Sequence, residues 1–187
     1  NDTSTGDGDD YVNIRGDQND TSTGDGDDYV NIRGGGEGKG SQEANTNTGG
    51  GDDTVKARGD YNDIDTEEGD DTVNVAGLGN SINTGTGDDT VTVSGTNNRV
   101  LTGDGNDTVN VESYNNAYVD TGDGNDTVNM NWGTDINVNT GDGNDTIFAN
   151  LSGLKDSEFG DSYLNGIGDF DVKNDTLNLG GIDDPSS

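Results

Sequence analysis

The chain has 187 residues, of which 39 are acidic and 8 basic for a formal charge of -31, and it contains no His and no Cys. These figures exclude His-based catalytic triads, soft-metal sites and disulfides, and a surface this acidic repels nucleic acid. Val, Ile, Leu and Phe together make up 32 of the 187 residues, about 17%, and so few large apolar side chains at such a charge cannot hold a core unaided.

One phrase recurs along the chain. It runs Thr, usually Gly, a variable residue, Gly, Asp or Asn, Asp, and then a strand-like triplet centred on Val or Ile. The leading Thr falls at 5, 23, 48, 66, 84, 102, 121 and 140, at intervals of 18, 25, 18, 18, 18, 19 and 19 residues. A short fixed period of this kind predicts a solenoid, in which each repeat is one coil and no coil is stable alone. Residues 1–16 and 19–34 are identical, as expected of an array that lengthens by duplication, and Asn1 falls partway through a repeat, as expected of a piece of a longer chain. Seven extra residues within 34–41, Gly34-Gly-Gly-Glu-Gly-Lys-Gly-Ser41, predict a loop bulging from a stack that continues around it. In the fourth copy, Thr66-Glu-Glu-Gly-Asp-Asp71, Glu67 must take a conformation that Gly adopts more cheaply.

The coil from Thr84 to Leu101 shows the expected layout. Thr84-Gly-Thr-Gly-Asp-Asp89 forms a first turn. Thr90-Val-Thr-Val93 alternates as a half-buried strand, with Val91 and Val93 inward. A second turn spans Gly95 to Asn98, and Val100 returns the chain to the next Thr. Asn19, Asn62, Asn80, Asn98 and Asn116 share the fifteenth place of their coils, with Asp135 in the last, which predicts an amide column. Ile64, Ile82, Val100, Val119 and Val138 precede the following Thr by two, so each coil supplies about three inward aliphatics. From Leu151 the regular pattern stops. Residues 1–150 are therefore expected to form the repeat array, and 151–187 a C-terminal capping segment and tail over its last layer.

Asp-rich turns punctuated by Gly offer hard oxygen ligands, which suit calcium. Thr102-Gly-Asp-Gly-Asn-Asp-Thr-Val-Asn110 and its seven counterparts, spanning residues 5–149, resemble the nonapeptide of the RTX (repeats-in-toxin, hemolysin-type calcium-binding) family, with Thr in place of the first Gly. Asp169-Phe-Asp-Val-Lys-Asn-Asp-Thr-Leu-Asn-Leu179 looks like the segment that often ends such arrays. The resemblance implies an all-β fold, a right-handed parallel β-roll or β-solenoid of 18 to 19-residue coils with calcium between adjacent turns. It implies carboxylate ligands Asp10, Asp28, Asp53, Asp71, Asp89, Asp107, Asp126 and Asp145. Backbone ligands would come from Gly6, Gly8, Gly24, Gly26, Gly49, Gly51, Gly69, Gly85, Gly87, Gly103, Gly105, Gly122, Gly124, Gly141 and Gly143. The second turn lacks the Gly-x-Gly spacing, so one calcium row is expected. Eight turns leave seven gaps, and seven divalent ions would bring -31 to -17.

The 18 to 19-residue coil is also similar to the calcium-dependent ice-binding region of a bacterial ice adhesin, through the outward pairs Thr72 and Asn74, Thr90 and Thr92, Thr108 and Asn110, Thr127 and Asn129. Thr and Asn equally suit any exposed strand face. No unique carboxylate pair stands apart from the repeated positions, so the chain is not expected to be an enzyme; the tail of a secreted enzyme is the alternative. No EF-hand loop is present. The leading expectation is a secreted, cell-surface structural or adhesive module that folds on binding calcium. Its further partners would be a second copy, stacked through uncapped coils, or a surface ligand such as a glycan, ice or another surface protein. Neither nucleic-acid binding nor membrane insertion is expected, since no apolar run approaches a membrane span.

Overall fold

The computed structural model describes residues 2–16, 18–34, 44–131, 136–150, 166–168 and 173–180. Short and long strands alternate along the chain. The short ones are β1 (Asp2–Ser4), β3 (Asp20–Ser22), β5 (Asn45–Asn47), β7 (Asp63–Asp65), β9 (Ser81–Asn83), β11 (Arg99–Leu101), β13 (Tyr118–Asp120), β15 (Asn137–Asn139) and β17 (Gly166–Gly168). The long ones are β2 (Tyr11–Arg15), β4 (Tyr29–Arg33), β6 (Thr54–Arg58), β8 (Thr72–Leu78), β10 (Thr90–Thr96), β12 (Thr108–Asn115), β14 (Thr127–Asn131), β16 (Thr146–Asn150) and β18 (Thr176–Gly180). Each set forms one nine-stranded sheet in chain order, and every pairing is parallel between one coil and the next. The chain is an all-β parallel β-solenoid of the β-roll type, as its period predicts.

The core lies between the sheets and is made of columns. The first inward place of the long strands is held by Val12, Val30, Val55, Val73, Val91, Val109, Val128 and Ile147. The second is held by Ile14, Ile32, Ala57, Val75, Val93, Val111, Met130 and Ala149, and the short strands contribute Ile64, Ile82, Val100, Val119 and Val138. All are buried, so the period-2 reading holds. In the first coils Thr21 and Thr46 occupy the short-strand column, and their hydroxyls have no hydrogen-bond partner. The core is thus thinnest and most polar near the N-terminal end.

Glu67 does adopt the left-handed backbone predicted for it, with φ 67°. Replacing it by Gly relieves a strain of about 1 kcal/mol; Glu67→Gly is expected to raise the thermal midpoint in calcium, measured by circular dichroism.

Two expectations need correction. The amide column is real across Asn62, Asn80 and Asn98, where the Asn62 N–H and Nδ2 both donate to Asn80 Oδ1 at 2.8 Å and the Asn80 N–H donates to Asn98 Oδ1 at 2.8 Å. Asn116 is not in it. A register shift after Gly95 places one extra residue in the 19-residue coil, pairing Thr96 with Asn115 and Arg99 with Tyr118. Ala117 therefore takes the buried place above Asn98, and exposed Asn116 instead donates to Asn97 Oδ1 at 2.8 Å. By the same pairing Ile136 holds this place in the last coil and Ala44 holds it in the second; Asp135 lies outside the described residues. The long strands of the middle coils also run on to Leu78, Thr96 and Asn115, past the four-residue strand expected from the alternation.

Most of the loop expected at 34–41 falls outside the described residues. The stack does continue around it, because β3 pairs with β5 and β4 with β6 in register. Much of the expected cap, residues 151–165, 169–172 and 181–187, likewise lies outside them. The described parts continue both sheets, with Ile167 opposite Val138 and Leu177 opposite Ile147.

Candidate metal centre

The motif places its last Asp where the first turn passes into the long strand, one residue before the outward Thr or Tyr and two before the inward Val. The side chain therefore enters the coil. Asp28, Asp53, Asp71, Asp89, Asp107, Asp126 and Asp145 are all 1 to 2% exposed, and Asp10 in the first coil is half-buried. From Asp28 onward, Oδ1 accepts the backbone N–H of the equivalent Asp one coil earlier: Asp53 N–H to Asp71 at 2.8 Å, Asp71 to Asp89 at 2.9 Å, Asp89 to Asp107 at 2.8 Å and Asp107 to Asp126 at 2.8 Å. The other oxygen, Oδ2, is buried without a hydrogen-bond partner in Asp10, Asp28, Asp53, Asp71, Asp89, Asp107 and Asp126.

A buried carboxylate with an unanswered oxygen is costly to ionise. Burial pushes the Asp71 carboxyl up to about 7 and those of Asp89 and Asp126 up to about 6, with the neighbouring backbone N–H groups offsetting part of the rise. Burial raises Asp53 and Asp107 as well. A proton or a cation at Oδ2 would relieve that cost.

The Gly-rich half of the turn is zipped by backbone. The Gly69 N–H donates to Thr86 O, Gly87 to Asp104 O and Gly105 to Asp123 O, each at 2.9 Å, while the N–H groups of Thr86, Asp104 and Asp123 donate to the carbonyls of Glu67, Gly85 and Gly103 at 2.8 to 3.1 Å. Gly6, Gly8, Gly24, Gly26, Gly49, Gly51, Gly69, Gly85, Gly87, Gly103, Gly105, Gly122, Gly124 and Gly141 all have positive φ, and Gly143 sits so close to Gly124 that a Cβ there would overlap its carbonyl. These residues bring backbone oxygens of successive coils into close stacking beside the Asp row.

A second ladder runs on the solvent side of the same turn and in the opposite direction. The Asp70 N–H donates to Asp52 Oδ1 at 3.0 Å, Asp88 to Asp70 at 2.8 Å and Asn106 to Asp88 at 2.7 Å. In the last three coils Asn replaces Asp, and the Nδ2 groups of Asn106, Asn125 and Asn144 add bonds at 3.0 to 3.1 Å. Repulsion on this outer ladder is therefore confined to the first five coils.

Two features escaped the sequence reading. Asp175 continues the buried row, since the Asp145 N–H donates to its Oδ1 at 3.2 Å. The signal was present in Asn174-Asp-Thr-Leu177, which repeats Asn106-Asp-Thr-Val109, but Lys173 stands where the turn has Gly. The leading Thr forms a buried column of its own. The hydroxyls of Thr84, Thr102 and Thr121 donate to the next Thr carbonyl at 3.3, 3.2 and 3.2 Å, a role that its presence in all eight copies signals.

Among the described residues no three acidic side chains converge on one point. A cation between coils would thus take carboxylates from two turns and complete its shell with backbone oxygens and water, a donor set that fits a hard ion of six to eight ligands. Fold and site together define a class, a parallel β-solenoid whose repeated turn carries a row of buried carboxylates compatible with calcium. Comparison with protein families, with characterised proteins and with solved structures finds no match.

Proposed function

We propose that the chain is a calcium-binding structural or adhesive module that folds on binding the ion and works outside the cell. The observation carrying this reading is the row of buried Asp Oδ2 atoms without partners. Asp10, Asp28, Asp53, Asp71, Asp89, Asp107, Asp126 and Asp145 would hold the ions with oxygens of the Gly-rich turn, as the RTX resemblance implies. Bound calcium would supply positive charge between the carboxylates of successive coils. The chain's own residues keep those carboxylates in line: Oδ1 is fixed by the neighbouring N–H, and the Thr column packs beside it. Calcium at extracellular, millimolar levels is the setting in which modules of weak affinity fill.

Equilibrium dialysis tests this. The eight motif carboxylates leave seven gaps and Asp175 adds an eighth, so about seven or eight ions per chain are expected, and Asp89→Ala should lower the count by one or two. Retention of fewer than three ions at millimolar calcium would overturn the reading.

The outward Thr72, Thr90, Thr108, Thr127 and Thr146 do stand in register, the observation that favours an ice-binding reading. Their companion column weakens it, because Asn110 donates to Thr92 Oγ1 at 3.4 Å and Asn129 to Asn110 Oδ1 at 3.0 Å. Those donors are directed along the sheet and not outward.

A further inference from the structure

Four of the eight basic residues of this acidic chain lie on one small face. Arg15, Arg33 and Arg58 are stacked in register at the ends of β2, β4 and β6, with Lys56 beside them in register with Asn31. All four are exposed. The outward residues of these three strands (Tyr11, Asn13, Arg15, Tyr29, Asn31, Arg33, Thr54, Lys56 and Arg58) include no acid, and among the described residues no carboxylate pairs with the guanidinium groups. Strand spacing sets the arginines about 4.8 Å apart, and the four residue steps from Tyr11 to Arg15 set the face about 13 Å wide.

The tyrosines narrow the choice of occupant. Tyr11 and Tyr29 are stacked with centroids 4.9 Å apart and 4° between planes, and Lys56 Nζ lies 5.2 Å from the Tyr29 centroid. Both faces of Tyr29 are therefore occupied, and only the outer face of Tyr11, itself 69% exposed, is free. Successive bases of a single-stranded nucleic acid need a series of free ring faces, which this stack does not offer. It presents ring edges and hydroxyls, with Asn31 Nδ2 donating along the sheet to Asn13 Oδ1 at 2.9 Å, next to a column of planar forks matched to carboxylates. A second copy would bring its own charge of -31 as a bulky folded body, whereas a thin acidic glycan chain lays a line of carboxylates along the arginine column and keeps the rest of its charge away from the acidic turns.

We propose that the face formed by Tyr11, Arg15, Tyr29, Arg33, Lys56 and Arg58 binds a carboxylate-bearing polysaccharide. This rests on the adhesive reading above and names its partner class. The guanidinium column takes successive carboxylates, and the Tyr hydroxyls take ring hydroxyls.

The test uses the full chain in millimolar calcium with an oligogalacturonate, a neutral galactan and oligothymidylate as probes, and circular dichroism on the same samples. Oligogalacturonate alone should bind, more weakly as salt rises. The triple variant Arg15→Ala, Arg33→Ala, Arg58→Ala should lose roughly tenfold or more in affinity while keeping its β signal, and the triple Arg→Lys variant should fall between. Undiminished binding by the Ala variant would mean that calcium bridges acidic protein to acidic sugar and would overturn the proposal. So would equal binding of oligothymidylate, or dimerisation that depends on the three arginines in sedimentation without glycan. If the chain folds with calcium and ignores oligogalacturonate, this inference fails and the calcium reading stands; absence of a β signal in calcium sinks both.

Discussion

At neutral pH and with chelator present, the chain is expected to give the circular dichroism of a coil and to convert to β structure as calcium rises to millimolar levels. Ionised carboxylates one strand spacing apart repel by about 3 kcal/mol per neighbouring pair at an effective dielectric of about 20, and the row from Asp10 to Asp145 has seven such gaps. The thin aliphatic core cannot offset a sum of that size, because folded domains stand only about 5 to 15 kcal/mol above the unfolded state. Protons and calcium answer the same oxygens, which fixes the sign of the pH dependence. The folded-state pKa values of Asp71, Asp89 and Asp126, about 7, 6 and 6, lie above the ordinary value of 3.8. Their contribution to metal-free stability is therefore complete below pH 4 and is lost as pH rises through about 6 to 7. Metal-free chain should gain β signal on acidification to about pH 4.5 and lose it again at pH 7.5, while calcium-loaded chain keeps it at pH 7.5. A chelated sample with the full β signal at pH 7.5 would refute this account.

Gly105→Ala should be strongly damaging, at more than about 3 kcal/mol in calcium. Gly105 has φ 148°, and a Cβ there would overlap the carbonyl carbon and oxygen of Gly87. Neither group can move aside, since both are backbone held in the stacked turn. Gly8→Ala separates the two causes. Gly8 has φ 110° with nothing within 4 Å of the added carbon, so it incurs only the conformational cost of about 1 to 2 kcal/mol. Urea midpoints of the two variants in calcium should differ clearly, and Gly105→Ala should split the transition because a solenoid broken at its centre melts as two stacks. Equal midpoints would show that the coils are not packed through this turn.

The two variants also divide what is local from what is assembled. The solenoid, its period, its inward Val and Ile columns and the turn Asp residues follow from the sequence alone, because a parallel stack sets identical positions over one another and so repeats one local pattern without needing distant partners. The left-handed backbone of Glu67 was legible for the same reason: seven coils have Gly there. Asp175 was missed because it lies 30 residues from Asp145 rather than 18 or 19, and only strand pairing restores it to the row. Asn116 failed by a single place, since counting from the leading Thr cannot tell which side of a bulge holds the extra residue; backbone pairing puts Ala117 in the buried column and leaves Asn116 outside. The direction of the Asp oxygens from Asp28 to Asp126, one bonded and one buried without a partner, and the gathering of Arg15, Arg33 and Arg58 on one face belong to the tertiary structure. Both depend on register between coils, where a shift of one residue turns an inward side chain outward.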